Sequence, residues 1–364
     1  MSAVLNELLS EMVGRNSSDL HLKAGARAVM RVHGDLIRTG EPISEQHLHD
    51  ILWGILTPVQ QKRLEETLEL DLSYLVKGLA RFRVNMYWQR GKIGAVFRVI
   101  PFKIKTIDEL GVPQVCKQVC LLPRGLILVT GPTGSGKSTT LAAMINHINE
   151  NRRQHIMTIE DPIEYVHPDK VSIINQRELS EDTHSFADAL KHVLRQNPDT
   201  ILVGEMRDLE TIQLAITAAE TGHLVMSTLH TVDAPQTIDR IIDVFSPEQQ
   251  AQIRTQLAVT LQAVVSQTLL PLKEGHGRVA AFEVMLATPA IRTLIREGKT
   301  HQIYLDIQTG HEMGMVTLDN SLLTLCKAGV IDFEHALAKS SNATEFQRRA
   351  LNQGIATAAD YGAH

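Results

Sequence analysis

A chain of 364 residues, 43% apolar and 21% charged, has enough material for two cores and the mix of an ordinary globular protein. A net charge of −5 lacks the basic balance expected of a nucleic-acid binder. The three cysteines (Cys116, Cys120, Cys326) are too few for a disulfide framework, and no apolar run approaches the roughly 20 residues that span a bilayer.

Residues 3–14 place Val4, Leu5, Leu8, Leu9, Met12 and Val13 at helical spacing. Leu20 and Leu22 then alternate with polar residues, and Met30–Val32 and Leu36–Ile37 flank a turn at His33-Gly34-Asp35, a predicted hairpin. Ser44 is a helix cap, and Pro58 suits the first position of another helix. Residues 80–100 predict two strands around a turn, Phe82, Val84 and Met86 on one face and Arg81, Arg83 and Asn85 on the other. Residues from Pro101 to Pro113 read as a linker.

From Gly125 short apolar strands alternate with helices: strands at 126–131, 155–161, 171–176, 200–205 and 223–231, with helices from Lys137, over Phe186–Leu194 and over Leu209–Glu220. That alternation predicts a mostly parallel sheet. Beyond about Ser246 the pattern reads as helical, with one hairpin at Leu269–Glu283, and a tail from Gly354. Cys116 and Cys120 would share a helix face as buried thiols. Without a leader pattern, the expected compartment is the cytoplasm.

Gly131-Pro132-Thr133-Gly134-Ser135-Gly136-Lys137-Ser138 matches G-x-x-x-x-G-K-[ST] between an apolar strand and a helix. Glycines let backbone N–H groups wrap a phosphate, and the helix N-terminus adds positive potential. Lys137 would reach the β/γ-phosphates, Ser138 would ligate Mg²⁺, and Thr139 extends the cradle. Glu160, Asp161 and Glu164 crowd the end of the next strand, which needs a cation nearby. Gly204-Glu205 ends an apolar strand where Asp-Glu or Asp-Asp is the commoner form, so Glu205 must serve the Mg²⁺ shell or the attacking water. Spacing leaves Glu164 and Glu205 both open as the base. Thr228 and His230 end another strand and could sense the γ-phosphate. Arg81 and Arg83 share one face far from the phosphate loop in sequence, as solvated arginines or as fingers supplied to a neighbour. Arg195 and Arg207 flank the Gly-Glu strand.

These residues together resemble the ATPases of type II secretion and type IV pili: a Walker A loop, an acidic box at Thr158–Glu164, a Gly-Glu Walker B and a histidine box at His223–Thr231, in that order. Ser18–Leu22 (Ser-Asp-Leu-His-Leu), Gly204–Asp208 and the Ala290–Glu297 segment resemble the pilus-retraction branch. Lys191 departs from its usual arginine, and Ala28 from its usual proline. The resemblance implies a RecA-like P-loop NTPase α/β domain preceded by a small α+β PAS-like domain and followed by C-terminal helices. The expected bounds are 1–100 for the first domain, 101–117 for a hinge, 118–353 for the ATPase domain and 354–364 for a tail.

The implied activity is ATP hydrolysis with Mg²⁺, powering retraction of type IV pili in twitching motility. Implied roles are phosphate binding by Gly131–Thr139, catalysis by Glu164, Glu205, His230 and, across subunits, Arg81 and Arg83, and Mg²⁺ binding by Ser138 and Glu205. Implied partners are five further copies in a homohexamer, the inner-membrane platform protein of the pilus and a paralogous accessory ATPase. Neither nucleic acid nor a membrane span is expected, and the chain would sit peripherally at the inner membrane. In the Ala290–Glu297 helix, implicated in retraction, Ile291, Leu294 and Ile295 would share one face. The competing readings are an assembly or secretion ATPase, which usually carries a tetracysteine zinc element, and an accessory ATPase with low turnover.

Overall fold

In the computed structural model, which describes residues 2–32, 34–100, 104–275 and 277–355, the chain divides into two units, Met1–Lys103 and Ile104–His364. The first unit carries six strands: β1 (Ser17–Lys23), β2 (Ala26–Val32), β3 (Asp35–Ile43), β4 (Glu69–Val76), β5 (Ala80–Gln89) and β6 (Lys92–Ile100). They form one antiparallel sheet in the order β3-β2-β1-β6-β5-β4. Along β5 burial alternates, Phe82, Val84 and Met86 entering a core with Leu5, Leu9, Leu48 and Phe97. Arg90 and Gly91 both have positive φ, the backbone that a tight turn between β5 and β6 requires. Helices Ser2–Gly14, Glu45–Trp53 and Pro58–Thr67 complete the unit; Ser44 caps the second through His47 N–H, and Thr57 and Gln60 form a capping box on the third. β4 was not foreseen, although Leu70 and Leu72 alternate there with Asp71 and Ser73.

The second unit holds β7 (Gly125–Thr130), β8 (His155–Glu160), β9 (Ile173–Glu178), β10 (Thr200–Val203), β11 (Leu224–Leu229), β12 (Leu261–Pro271) and β13 (Arg278–Leu286). Their order is β13-β12-β7-β11-β10-β8-β9, parallel throughout except for the β12–β13 hairpin. Both faces are covered. Leu126 and Leu128 join one core with Leu190, Ile212 and Ile238, while Ile127 and Val129 join another with Leu141, Met144 and Ile148. Every residue of β7, β10 and β11 is buried, the reason these strands read as unbroken apolar runs.

Two expectations need correction. The region after Ser246 is not helical up to Leu269: the helix Pro247–Thr260 gives way at Leu261 to β12, which pairs with β7 as well as β13. Leu257, Leu261, Val264 and Val265 keep helical spacing across that boundary, and β12 is buried on both faces, so period alone could not separate the two. The hinge expected at 101–117 is largely built into the second unit, since Ile107, Val112, Val115 and Cys116 lie in its core. In the helix Pro289–Glu297, Ile291 and Ile295 are fully buried core residues, which leaves Leu294 half-buried and Arg296 exposed. Residues 101–103 of the expected hinge, 356–364 of the expected tail and His33 of the first hairpin lie outside the described residues. Cys116 and Cys120 share the helix Val115–Cys120 and are buried, which pushes the Cys116 thiol up to about 12.

Candidate active site

Parallel strands deliver their carboxyl ends to one edge of the sheet, and there β7, β11, β10 and β8 stand side by side. β7 runs into the loop Gly131–Gly136 and the helix Lys137–Asn151. Gly131 has φ +140°, and a Cβ on it would lie 2.2 Å from the Gln267 carbonyl oxygen. Only glycine fits there. Gly134 and Gly136 also have positive φ. Gln267, in the middle of β12, donates from Nε2 to the Ser135 carbonyl at 2.6 Å and so supports the loop. Ser135 is buried, whereas Pro132, Thr133 and Gly134 face outward.

Lys137 Nζ folds back to donate to the carbonyls of Gly131 (2.8 Å) and Pro132 (3.2 Å). Desolvation lowers its pKa, opposed by the charges of Glu205 and Glu164, which places both carboxylates in its field. The Ser138 hydroxyl has no protein partner among the described residues, while Thr139 Oγ1 lies 3.0 Å from Tyr165 Oη. The cradle therefore fits a polyphosphate, and the unpartnered Ser138 hydroxyl is a hard oxygen donor of the kind a divalent cation takes.

β10 ends at Val203, in register with Ile159 of β8 and Ser227 of β11. Gly204 N–H donates to the Ile159 carbonyl at 2.7 Å, and a Cβ at Gly204 would stand 3.2 Å from that oxygen and 3.3 Å from Glu160 Cα. That crowding explains glycine where aspartate is commoner. Glu205 then meets Arg207 Nη2 at 2.8 Å and His230 Nε2 at 3.1 Å. Burial alone would raise its carboxyl, but Arg207 and His230 outweigh it and the pKa is lowered. On its other nitrogen, His230 Nδ1 is 3.5 Å from Thr133 Oγ1, so the imidazole bridges the phosphate loop and Glu205. Beside them a cleft of about 260 Å³ is lined by Met206, Ile212, Leu229 and Val244, with Arg207 and Arg240 among its polar residues.

Glu164 is exposed and accepts no hydrogen bond on its carboxylate among the described residues, in contrast to Glu205. Thr228, expected as a phosphate sensor, spends its hydroxyl on the Gly204 carbonyl at 2.7 Å and braces β11 against β10. Arg81 and Arg83 belong to the first unit, outside this cluster. Arg81 donates to Ser73 Oγ at 2.7 Å, while Arg83 has no polar partner among the described residues. Lys191 pairs with Glu210 of its own chain at 2.6 Å. Arg207, Tyr165 and Gln267 were given no role from sequence. Arg207 carried a signal in its place two residues after Glu205, whereas Gln267, in contact with a loop far back in the chain, carried none.

A family model described as type II/IV secretion system protein matches residues 1–334. The chain is 53% identical over 337 residues to the type IV pilus retractation ATPase PilT of Pseudomonas aeruginosa, covering 92% of this chain and 98% of that protein. It is 48% identical over 341 residues to a twitching motility protein of Neisseria gonorrhoeae, covering 93% and 91%. A crystal structure of the pilus retraction motor PilT with bound ADP superposes with a TM-score of 0.89 at 45% identity, covering 94% of this chain and 98% of that one.

Proposed function

The chain belongs to the type II/IV secretion system protein family and is an ATPase of it; from that premise we propose that it is the motor that retracts type IV pili. The observation that carries the chemistry is the meeting of Lys137, Glu205 and His230 at the ends of three adjacent strands, with Glu164 acting on the same lysine.

ATP binds with its phosphates in Gly131–Thr139. Lys137 exchanges two neutral carbonyls for phosphate oxyanions, a stronger charge-assisted pairing. Ser138 and Glu205 would hold Mg²⁺, which would supply neutralisation of phosphate charge. Glu164 is the base: its carboxylate is free to take a proton from water, whereas that of Glu205 is engaged by Arg207 and His230. His230 joins Thr133 to Glu205, so a γ-phosphate beside Thr133 is felt at Glu205. Arg81 and Arg83 reach the nucleotide of a neighbouring copy in a homohexamer, where an arginine finger is worth about 10³–10⁵ in rate. The PAS-like first domain moves against the ATPase domain about the junction that joins the two units, and the ring works on the platform protein at the cytoplasmic face of the inner membrane. Among the described residues no helix is long and apolar enough to cross a membrane, so docking on a partner accounts for that location.

Deletion of the gene in its host tests the direction of work. Fibres that accumulate and do not shorten support retraction; cells without fibres would show an assembly motor instead.

A further inference from the structure

Between β8 and β9 the chain leaves the sheet, and the backbone on both sides of Glu164 is held by side chains. Glu164 N–H donates to the Glu160 carboxylate. Tyr165 gives its carbonyl to Gln176 Nε2 at 2.8 Å, and His167 N–H donates to Gln176 Oε1 at 2.8 Å. Ile163 N–H donates to Glu178 Oε2 at 3.2 Å. The two central holders also bind each other, Gln176 Nε2 donating to Glu160 Oε1 at 3.1 Å, while Thr158 Oγ1 donates to the same oxygen at 2.6 Å. Tyr165 Oη completes the frame by reaching Thr139 on the first turn of the phosphate-loop helix.

Glu160 is thus surrounded by three donors, the opposite of what a base facing water needs. We propose that Glu160 and Gln176 are positioning residues for hydrolysis, a carboxylate–carboxamide clamp that fixes the backbone of Glu164 so that its carboxylate stands in the field of Lys137. This deepens the proposed function and rests on Glu164 being the base. A loop carrying a base needs such a frame, because a displacement of about 1 Å costs on the order of 10²-fold in rate.

The clamp is also sensitive to protons. Burial raises the Glu160 carboxyl to about 7, against the pull of Thr158, Gln176 and the Glu164 N–H, with the charge of Glu164 acting in the same direction as burial. The groups around it are Thr158 on its own strand, neutral Gln176 and the buried carboxyl of Glu178, its register partner, on β9, Gly204 at the end of β10 and Glu164 in the loop. Lys137 acts on Glu164, and Arg207 is paired with Glu205 and feels Asp161. Once protonated, Glu160 presents a donor where three donors already converge, and the frame loosens.

Steady-state ATP hydrolysis and titration with a fluorescent ADP analogue, using full-length Glu160→Gln, Gln176→Leu and Glu164→Gln proteins, test this. Glu160→Gln and Gln176→Leu are expected to lose about 10- to 100-fold in kcat while ADP affinity stays within about twofold. The wild type is expected to lose kcat as pH drops through 7, and Glu160→Gln to lack that acid limb. Wild-type kcat in both clamp variants, with Glu164→Gln inactive, would overturn the clamp and leave the base standing. Loss of ADP affinity in step with kcat would overturn it too, as would an acid limb unchanged in Glu160→Gln. Full turnover in Glu164→Gln would instead remove the base assignment, a result distinguishable from all of these. Should Glu160→Gln not fold, Gln176→Leu alone decides through the split between kcat and affinity.

Discussion

β5 in the first unit buries Phe82, Val84 and Met86 and turns Arg81, Arg83 and Asn85 to its other face, whereas β7 in the second unit has no residue left to turn outward. An antiparallel sheet covered on one side can display functional side chains anywhere along its strands. A parallel sheet covered on both sides can display them only where strands end, and there Lys137, Glu205 and His230 collect. The two units thus present different things: the second gathers Lys137, Glu205 and His230 beside the strand ends, and the first carries Arg81 and Arg83 on the face of β5 turned from its core.

Four variants press on that division, from the largest effect down. Arg83→Ala should cut ATP turnover by about 10³-fold or more if it acts on a neighbour's nucleotide, while the melting temperature of the protein stays put, as for other surface changes within about 0.5 kcal/mol. Unchanged turnover would return Arg83 to a solvated surface. Lys137→Ala should cost about 10²–10³-fold or more in kcat, by analogy with loss of a single oxyanion donor, and nucleotide titration would show weakened binding as well. Ile291→Ala should destabilise the second unit by about 2–5 kcal/mol because Ile291 is fully buried in the main core; chemical denaturation measures it.

The smallest effect is one of pH. Burial raises Glu160 and Glu283 to about 7 from a usual value near 4.5, so the folded chain binds more protons than the unfolded one across that window. Stability should therefore fall as pH rises from 4.5 to 7, the range over which the Glu160 clamp becomes ionised and active. Glu283 is the cleaner probe: it accepts the Ala234 N–H at 2.9 Å at a helix start and lies outside the phosphate cradle. In Glu283→Gln the slope of melting temperature against pH should be shallower than in the wild type, and an identical slope would exclude Glu283 as a source.

Much of this was readable before the fold was known, for physical reasons that differ by region. Strands buried on both faces announce themselves as apolar runs, and a phosphate loop announces itself because its glycines and lysine must be adjacent in sequence. What adjacency does not encode was missed. Gln267 holds the phosphate loop through one hydrogen bond and Gln176 holds the Tyr165–His167 backbone through two, none of which leaves a periodic trace. Thr228 was misread because a hydroxyl at a strand end looks the same whether it faces a ligand or, as here, a neighbouring carbonyl. β12 was hidden by helical spacing carried over from Leu257, and Ile291 by the fact that an amphipathic helix does not say which partner covers its apolar face. Spacing leaves Glu164 and Glu205 open as the base, and the proposed choice of Glu164 rests on the cationic partners that Glu205 already has.

If the first unit's arginines complete a neighbour's site, hydrolysis per chain must depend on assembly. The measurement is ATP turnover per chain across a dilution series of the purified protein, with sedimentation reporting the oligomer at each point. Turnover per chain should rise with concentration and level off where rings predominate. Full turnover at concentrations where only monomers sediment would contradict the shared site.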